Sequence, residues 1–459
     1  MWVFEVHVLT KQGSMSDGTC FSLLMAAPQV TRPDLDTFAR VDGLGLTVTA
    51  QQVWPKKSVL FCAPTVPDRE CPSCGLPGQD YDTAQRRLTH LPVGRRATWL
   101  EVAVPRYRCL GCGKVWRHRL VAAARPRARM TRAADFWALS QVVMDHVPVS
   151  GAAAVLGVSW NTCHQAVAEL GERILISNPA RLDGVRVVGV DEHVWRHTRK
   201  GDKYVTVIID LTPVRDGTGP SRLLDMVPGR SKDAFKTWLE ARDDAFRDHV
   251  EIVAMDGFTG FKSAAAEAVP DAVTVMDPFH VVALAGDKLN QTRQRVQQHT
   301  FGRRGGKDDP LWRARRTLQT GADILTPRQE ARLSRLFADD RLVAVEVTWD
   351  AYQTLVAAYR DPDKRNGKRT LSRLIDTLKQ GVPAGLAELA QLGRTLNRRR
   401  DDILAWFDHP GSSNGPTEAI NGRLEHLRGI ALGFRNLVNY RLRSLLETGG
   451  FRPLIHDLS

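Results

Sequence analysis

Five short apolar runs between residues 185 and 276 constrain the fold of this chain more than any other feature. They occupy residues 185–190, 204–210, 221–226, 252–255 and 273–276. Runs of this length, rich in Val and Ile and bounded by polar or glycine-containing segments, are typical of buried strands. Helical patterns at 232–247 and 260–268 alternate with them. This part of the chain therefore predicts an α/β fold.

Two of these runs end at an acidic residue, and a third acid opens a later helix. Asp191 follows the first run, Asp256 follows the fourth, and Glu418 begins a helical segment after a Gly/Ser/Asn loop. Taken singly, each acid is better explained as a solvated group or, for Glu418, as a favourable charge at a helix N-terminus. Taken together, two strands and a helix can hold two Mg²⁺ or Mn²⁺ ions for phosphodiester chemistry.

Asp277 is the alternative to Asp256 as the second metal-binding acid, because it also follows a strand. It precedes Pro278 and His280. We therefore expect Asp277 to orient the site or to cap the next helix, with His280 as a second supporting group.

Two matched cysteine pairs predict a structural zinc site. Cys71 and Cys74 form one Cys-x-x-Cys turn, Cys109 and Cys112 form the other, and each pair is followed by glycine. Four thiolates satisfy tetrahedral Zn²⁺, and the 34 intervening residues suit a zinc ribbon. Two unrelated pairs are the alternative. The chain has seven cysteines, and this usage favours a reducing cytoplasm over a disulfide framework.

The positive charge of the chain is concentrated around these cysteines. The formal net charge is +13, and residues 84–132 contain 13 Lys/Arg and one acid, Glu101. Such a segment predicts a polyanion partner, although a solvated basic face is the simpler explanation for an isolated charge run. No stretch approaches the roughly 18 consecutive apolar residues of a membrane helix, so we expect no membrane partner.

A helix-turn-helix is predicted after the basic segment. Residues 151–167 contain a short helix, a glycine turn and a second helix capped by Ser159. The first residues of such a second helix contact base edges in the major groove. The candidates here are Trp160, Asn161, His164 and Gln165. A helix corner within an ordinary core is the alternative.

Six segments together resemble one known family. They are 189–196 (GVDEHVWR), 203–210 (KYVTVIID), 255–256 (MD), 277–281 (DPFHV), 413–421 (SNGPTEAIN) and 433–443 (GFRNLVNYRLR). Over about residues 35–452 the chain resembles the ISL-three family of bacterial insertion-sequence transposases. The resemblance implies a zinc ribbon, a helix-turn-helix and a DDE catalytic domain of ribonuclease-H-like fold with an all-α insertion. It implies that Asp191, Asp256 and Glu418 are the catalytic, metal-binding acids.

The domain organisation follows from this resemblance and from the patterns along the chain. We expect an extension of open role (1–34), a β-rich region with the zinc ribbon (35–128), the helix-turn-helix (129–180), the first part of the catalytic core (181–284), a helical insertion (285–410), the last part of the core (411–452) and a tail (453–459).

The expected activity is cleavage and joining of DNA strands. The partners would be the terminal inverted repeats of the element and a target DNA, and synapsis of two ends favours a homodimer on DNA. Basic residues near the last helices would bind phosphates: Arg423, Arg435, Arg441 and Arg443. The alternatives are a DNA-binding regulator whose α/β domain is inert and a nuclease that does not join strands.

Overall fold

The computed structural model describes residues 33–198, 203–302 and 305–458. The predicted extension at 1–34 lies outside these ranges except for its last two residues, so its role stays open.

The N-terminal region is a five-stranded sheet. Helix α1 (Leu35–Phe38) precedes it, and its strands are β1 (Leu46–Val53), β2 (Lys57–Pro64), β3 (Gln79–Val93), β4 (Arg96–Arg108) and β5 (Val115–Arg117). The order is β1-β2-β4-β3, with β5 paired to β4. Along β4 every second side chain from Thr98 to Val104 is buried, which is the two-residue period of a strand with one core face.

Three helices follow: α2 (Arg132–Met144), α3 (Val149–Leu156) and α4 (Trp160–Gly171). Gly157 ends α3 with φ +67°, and a Cβ there would lie 2.9 Å from the Cβ of Ala97 in β4. Glycine is therefore required both by the backbone and by the close approach of the sheet. Ser159 caps α4 by accepting from the amide of Thr162 at 3.2 Å. The predicted helix, glycine turn and capped helix are all present.

The central sheet contains β6 (Val187–Val194), β7 (Tyr204–Asp210), β8 (Arg222–Pro228), β9 (Ile252–Met255) and β10 (Val273–Met276). The strand order is β10-β9-β6-β7-β8. β6, β9 and β10 are parallel, whereas β7 is antiparallel to both β6 and β8. The expectation that Asp191 ends its strand is wrong, because β6 continues to Val194 and pairs Asp191 with Val207.

Helices cover both faces of this sheet. They include α5 (Thr212–Asp216), α6 (Lys232–Glu240), α7 (Asp244–His249) and α8 (Thr259–Ala268). The single helix expected at 232–247 is two helices, because Asp243 caps a new one at the amide of Phe246. Val188 and Val253 pack with α6 to α8, while Val187 and Ala254 belong to a core shared with α2 to α4 and the C-terminal helices.

A helical block separates β10 from the C-terminal helices. It consists of α9 (Pro278–Phe301), α10 (Pro310–Ala314), α11 (Pro327–Phe337), α12 (Val343–Arg360), α13 (Lys364–Gln380), α14 (Ala387–Arg398) and α15 (Arg400–Asp408). The block has its own core, which includes Leu289, Leu355 and Ile375. The expected boundary at 285 lies inside α9, which begins at Pro278 directly after β10, since proline favours the first turn of a helix.

The chain ends in α16 (Gly415–Ile430), α17 (Leu437–Thr448) and α18 (Arg452–Asp457). The expected tail at 453–459 is wrong, because α18 packs against α2 and Ile455 is fully buried. No helix within the described ranges is long and apolar enough to cross a membrane.

Candidate metal and DNA-binding sites

Three acids lie at matching positions on neighbouring parallel strands, Asp191 within β6 and Asp256 and Asp277 directly after β9 and β10. Val190 is in register with Met255, and Met255 with Met276, so the next residues are Asp191, Asp256 and Asp277. Adjacent strands are about 4.8 Å apart. Val187, Ala254 and Val275 lie on the sheet face that α16 covers, and a Cβ at Gly189 would meet the side chain of Asn414 on the same face. Alternation along β6 therefore directs Asp191 to that face, and Asp277 contacts the loop before α16 there.

Asp191 is buried and has a partner on each carboxylate oxygen. Its Oδ1 accepts from the amide of Glu192 at 2.8 Å, and its Oδ2 accepts from Nδ2 of Asn421 at 3.0 Å. Burial raises the pKa of Asp191 to about 6, and the negative charge of Asp256 adds to this rise. Asp191 is therefore a desolvated acid next to a second acid.

Asp256 is half-buried and accepts from the amide of Phe258 at 2.8 Å. Burial also raises the pKa of Asp256, while the charge of His280 opposes the rise at both Asp256 and Asp191. His280, at the start of α9, thus acts electrostatically on both acids. The structure brings these three sequence-predicted residues into one cluster.

Asp277 is only 1% exposed and contacts the loop before α16. Its Oδ1 accepts from Oγ of Ser413 at 2.8 Å and from the amide of Asn414 at 3.1 Å. Asn414 in turn donates from Nδ2 to the carbonyl of Val190 at 3.3 Å. Asp277 occupies the N-cap position of α9, where its carbonyl accepts from the amide of His280 at 3.1 Å, but its side chain makes no capping bond.

Glu418 lies in the first turn of α16 and is exposed. Asn414 is four residues before it and Asn421 three residues after it, and these spacings place the three on one helix face. In the described part of the chain, only the four cysteines have ligand atoms that all lie within 4.8 Å of one another. The ligand atoms of Asp191, Asp256 and Glu418 are therefore more widely spaced than that. Asn414 and Asn421 were missed as contacts from the sequence, although their helical spacing from Glu418 is the signal that could have found them.

The four cysteines converge. The sulfur of Cys74 lies 3.4 Å from that of Cys109 and 3.7 Å from that of Cys112, and the sulfur of Cys71 lies 3.6 Å from that of Cys112. Four sulfurs around a zinc ion at about 2.3 Å would be roughly 3.8 Å apart. The arrangement therefore fits tetrahedral Zn²⁺.

The backbone explains this convergence, because the two Cys-x-x-Cys turns have the same hydrogen bonds. In each, the first cysteine donates to a carbonyl five residues later, at 3.0 Å for Cys71 and 2.8 Å for Cys109. The glycine after each pair has a positive φ, +74° at Gly75 and +72° at Gly113. Glycine accepts this conformation without strain.

The predicted base-reading residues of α4 do not share one surface. Trp160 stacks on His164 with ring centroids 4.5 Å apart, and Nε2 of His164 lies 3.3 Å from Oδ1 of Asn439 in α17. Asn161 and Gln165 are exposed and line a different cleft, together with Arg127 and Arg129.

The four predicted phosphate-binding arginines fall into two groups, two that are exposed and two that are paired or buried. Arg423 and Arg435 are exposed. Nε of Arg441 lies 2.6 Å from Oδ1 of Asp225, and Arg443 is only 7% exposed. Arg441 is therefore held by an ion pair with a carboxylate, and Arg443 is buried where it lines a cleft beside α4, so phosphate binding by these two residues stays a prediction.

Comparisons with known proteins identify the family of the chain. Residues 188–444 match the family model of the ISL-three DDE domain, described as transposase, and residues 67–112 match the model described as the zinc-finger of transposase IS204/IS1001/IS1096/IS1165. The transposase for insertion sequence element IS1557 of Mycobacterium tuberculosis is 26% identical over 445 residues, which cover 90% of this chain and 91% of the relative.

Two further similarities were found. The transposase for insertion sequence element IS1001 of Bordetella parapertussis is 26% identical over 385 residues, covering 82% of this chain and 88% of the relative. The Drosophila P element transposase strand transfer complex aligns over 72% of this chain and 94% of that chain, with a TM-score of 0.38 and 11% identity. The family match spans more than half of the sequence, and this chain therefore belongs to the ISL-three family of DDE transposases.

Proposed function

We propose that this chain binds the terminal inverted repeats of its insertion sequence and catalyses metal-dependent DNA strand cleavage and strand transfer. The observation that carries the proposal is the register of β6 and β9, which places Asp191 beside Asp256 under the helix that contains Glu418. Family membership supplies the reaction class, and the acids supply a chemically suitable place for it.

We propose further that the central sheet is of ribonuclease-H-like type. In chain order its strands are arranged 5-4-1-2-3, with the first three antiparallel and the last two parallel to the first. The helical block at 278–408 would then be an insertion between the fifth strand and the helix that contributes Glu418.

The residues present fit a divalent cation. Asp191 and Asp256 are partly desolvated acids that repel each other, and a cation between them would offset both effects. Their oxygens and that of the exposed Glu418 are ligands that Mg²⁺ or Mn²⁺ prefers. A pair of such ions would supply activation of the attacking oxygen and stabilisation of the leaving oxygen.

The protein itself would orient and support these ligands. Asn421 holds Oδ2 of Asp191, and Asp277 fixes the start of α16 through Ser413 and Asn414. Both carboxylate oxygens of Asp191 accept hydrogen bonds, which limits its rotation. We therefore assign Asp256 as the second metal ligand and Asp277 as a positioning residue.

The N-terminal half would bind DNA. We propose that Cys71, Cys74, Cys109 and Cys112 hold one structural Zn²⁺, and that the basic segment at 84–132 and the exposed Asn161 and Gln165 contact the element end. A homodimer would hold two ends together.

The test uses DNA that carries the element end, with Mg²⁺. Wild-type protein should nick this DNA, and adding target DNA should yield joined products. Asp191→Ala, Asp256→Ala and Glu418→Ala should each lower cleavage at least about 100-fold while end binding, measured by fluorescence anisotropy, persists.

Glu330→Ala, which removes an exposed acid from the helical block, is the matched control and should cleave normally. If any of the three variants nicked DNA at the wild-type rate, the replaced residue would not be a catalytic acid. Specific binding without cleavage by the wild type would favour a DNA-binding regulator instead.

A further inference from the structure

A cleft separates the helix-turn-helix from the C-terminal helices. It has a volume of about 670 Å³ and lies between α3 and α4 on one side and the end of α16 and start of α17 on the other. We call it the α4–α17 cleft. Its lining includes Trp160, His164, Leu427, Phe434, Arg435 and Arg443.

One wall of the cleft is a flat aromatic surface. Trp160 is 47% exposed and stacks on His164 with an interplanar angle of 11°. His164 is fixed in turn by its hydrogen bond to Asn439. A solvent-accessible indole supported from behind is the kind of surface on which nucleobases stack, irrespective of base type.

Two residues that line the cleft have buried polar atoms without a partner. Among the residues that the structure describes, Nη1 of Arg443 and Nδ1 of His164 are buried and make no hydrogen bond. Leaving a guanidinium donor unpaired inside the protein is costly, and a ligand with anionic oxygens would satisfy it. Exposed Arg435 adds a second cation at the rim, whereas the acid Glu447 is paired with His146 at 2.6 Å.

The cleft is linked to the acids by a single rigid element. Glu418 is in the first turn of α16 and His426, which lines the cleft, is eight residues later. At about 1.5 Å per residue the two are roughly 12 Å apart along the helix axis. A DNA strand that rises about 3.4 Å per nucleotide covers this distance in three to four steps.

We propose that the α4–α17 cleft holds an unpaired nucleotide of the DNA strand that is led to the acids, with its base stacked on Trp160 and its phosphate at Arg443 and Arg435. The proposal rests on the DNA-processing function proposed above. It separates the roles of the two faces of α4: Asn161 and Gln165 face paired DNA, and Trp160 with His164 faces the separated strand.

The test measures binding of the full-length, zinc-loaded protein to a fluorescein-labelled ten-nucleotide oligothymidylate and to a blunt duplex of the element end. Trp160→Ala should weaken oligothymidylate binding about 5- to 150-fold, the range for loss of one base stack, and leave duplex binding unchanged. Trp160→Phe should bind within about threefold of wild type because it keeps an aromatic face. Trp312→Ala, at an exposed tryptophan of the helical block, is the matched control and should change neither affinity.

Arg435→Ala tests the phosphate contact without disturbing the buried Arg443. It should reduce the slope of log affinity against log salt by about 0.7 for oligothymidylate.

Four other outcomes would contradict the proposal for the α4–α17 cleft, and each has a different meaning. If the wild type binds the duplex but not oligothymidylate, the cleft does not hold an unpaired strand, and the proposed function stands. Equal losses on both DNAs for Trp160→Ala would show that Trp160 reads paired DNA. A change in sedimentation of Trp160→Ala without DNA would identify a second copy of the chain as the occupant. Binding of neither DNA by the wild type would overturn the proposed function as well.

Discussion

The side-chain amide of Asn421 donates a hydrogen bond to Oδ2 of Asp191 over 3.0 Å, joining two residues that are 230 positions apart in the chain. This bond connects α16 to β6, the middle strand of the central sheet. Because Glu418 is one turn earlier on the same helix, the bond also sets where that acid lies relative to Asp191.

Replacing Asn421 with alanine should slow DNA cleavage about 3- to 10-fold, the value of one lost hydrogen bond to a positioned group. Affinity for the element end should be unchanged, because the effect is on the orientation of Asp191. Single-turnover cleavage and anisotropy measure the two quantities. Gly422→Ala is the control, since a Cβ there meets nothing within 4 Å, and an equal defect in that variant would refute the positioning role.

Asp256 and Asp277 should respond differently to substitution by asparagine. Asp256→Asn should abolish Mn²⁺ binding measured by calorimetry and should not lower thermal stability, because burial disfavours the charged form of Asp256. Asp277→Asn should lower the free energy of unfolding by about 1–3 kcal/mol, because a buried acceptor for Ser413 and Asn414 is weakened. If Asp277→Asn lost Mn²⁺ binding and Asp256→Asn kept it, Asp277 would be the metal ligand and Asp256 the positioning residue.

The stability of the metal-free protein should depend on the ionisation of Asp191. Its pKa is raised to about 6, so the folded state binds this proton more tightly than the unfolded state does. The stabilisation from protonated Asp191 is complete below the ordinary pKa near 3.8 and is lost as the pH rises through about 6.

Asp191→Asn should therefore raise the free energy of unfolding by about 1–3 kcal/mol at pH 8 in chelator, with a gain that shrinks towards pH 4. Denaturant titrations across this range measure the effect. A gain that is independent of pH would contradict the assignment to ionisation.

Zinc should be bound at one ion per chain and should be lost in Cys109→Ser, because three thiolates leave the tetrahedral site incomplete. Metal analysis after gel filtration measures this ratio. Cys62→Ala should keep its zinc, since Cys62 is a buried residue of the neighbouring core and not part of the cluster. Full zinc content in Cys109→Ser would refute the site.

The last helix should contribute to global stability. Ile455→Ala should lower the free energy of unfolding by about 2–4 kcal/mol, because the side chain is fully buried in the core that includes the helix-turn-helix. Leu454→Ala, at a neighbouring position that is 37% exposed, should cost less than about 1 kcal/mol. Equal losses of unfolding free energy in the two variants would show that burial of Ile455 does not anchor α18.

Local sequence patterns predicted the strands, caps and turns whose conformation depends on residues close to them in the chain. The strands at 204–210, 252–255 and 273–276 begin and end where their apolar runs do, and the Ser159 cap and the two glycine-bearing cysteine turns are present as expected. In each case a short-range period or a residue with a special backbone preference carries the information. The family resemblance added the order of the functional regions.

The tertiary structure decided what depends on distant partners. No local pattern shows that Asp277 holds the start of α16, that Arg443 is buried, or that Trp160 and Asn161 face different clefts. These properties arise where α16, α17 and the loop before α16 pack against strands and helices more than 130 residues earlier, and burial and hydrogen bonding are set by that packing. The sequence by itself determined which residue types are present and which elements contain them, while the fold decided which of them meet.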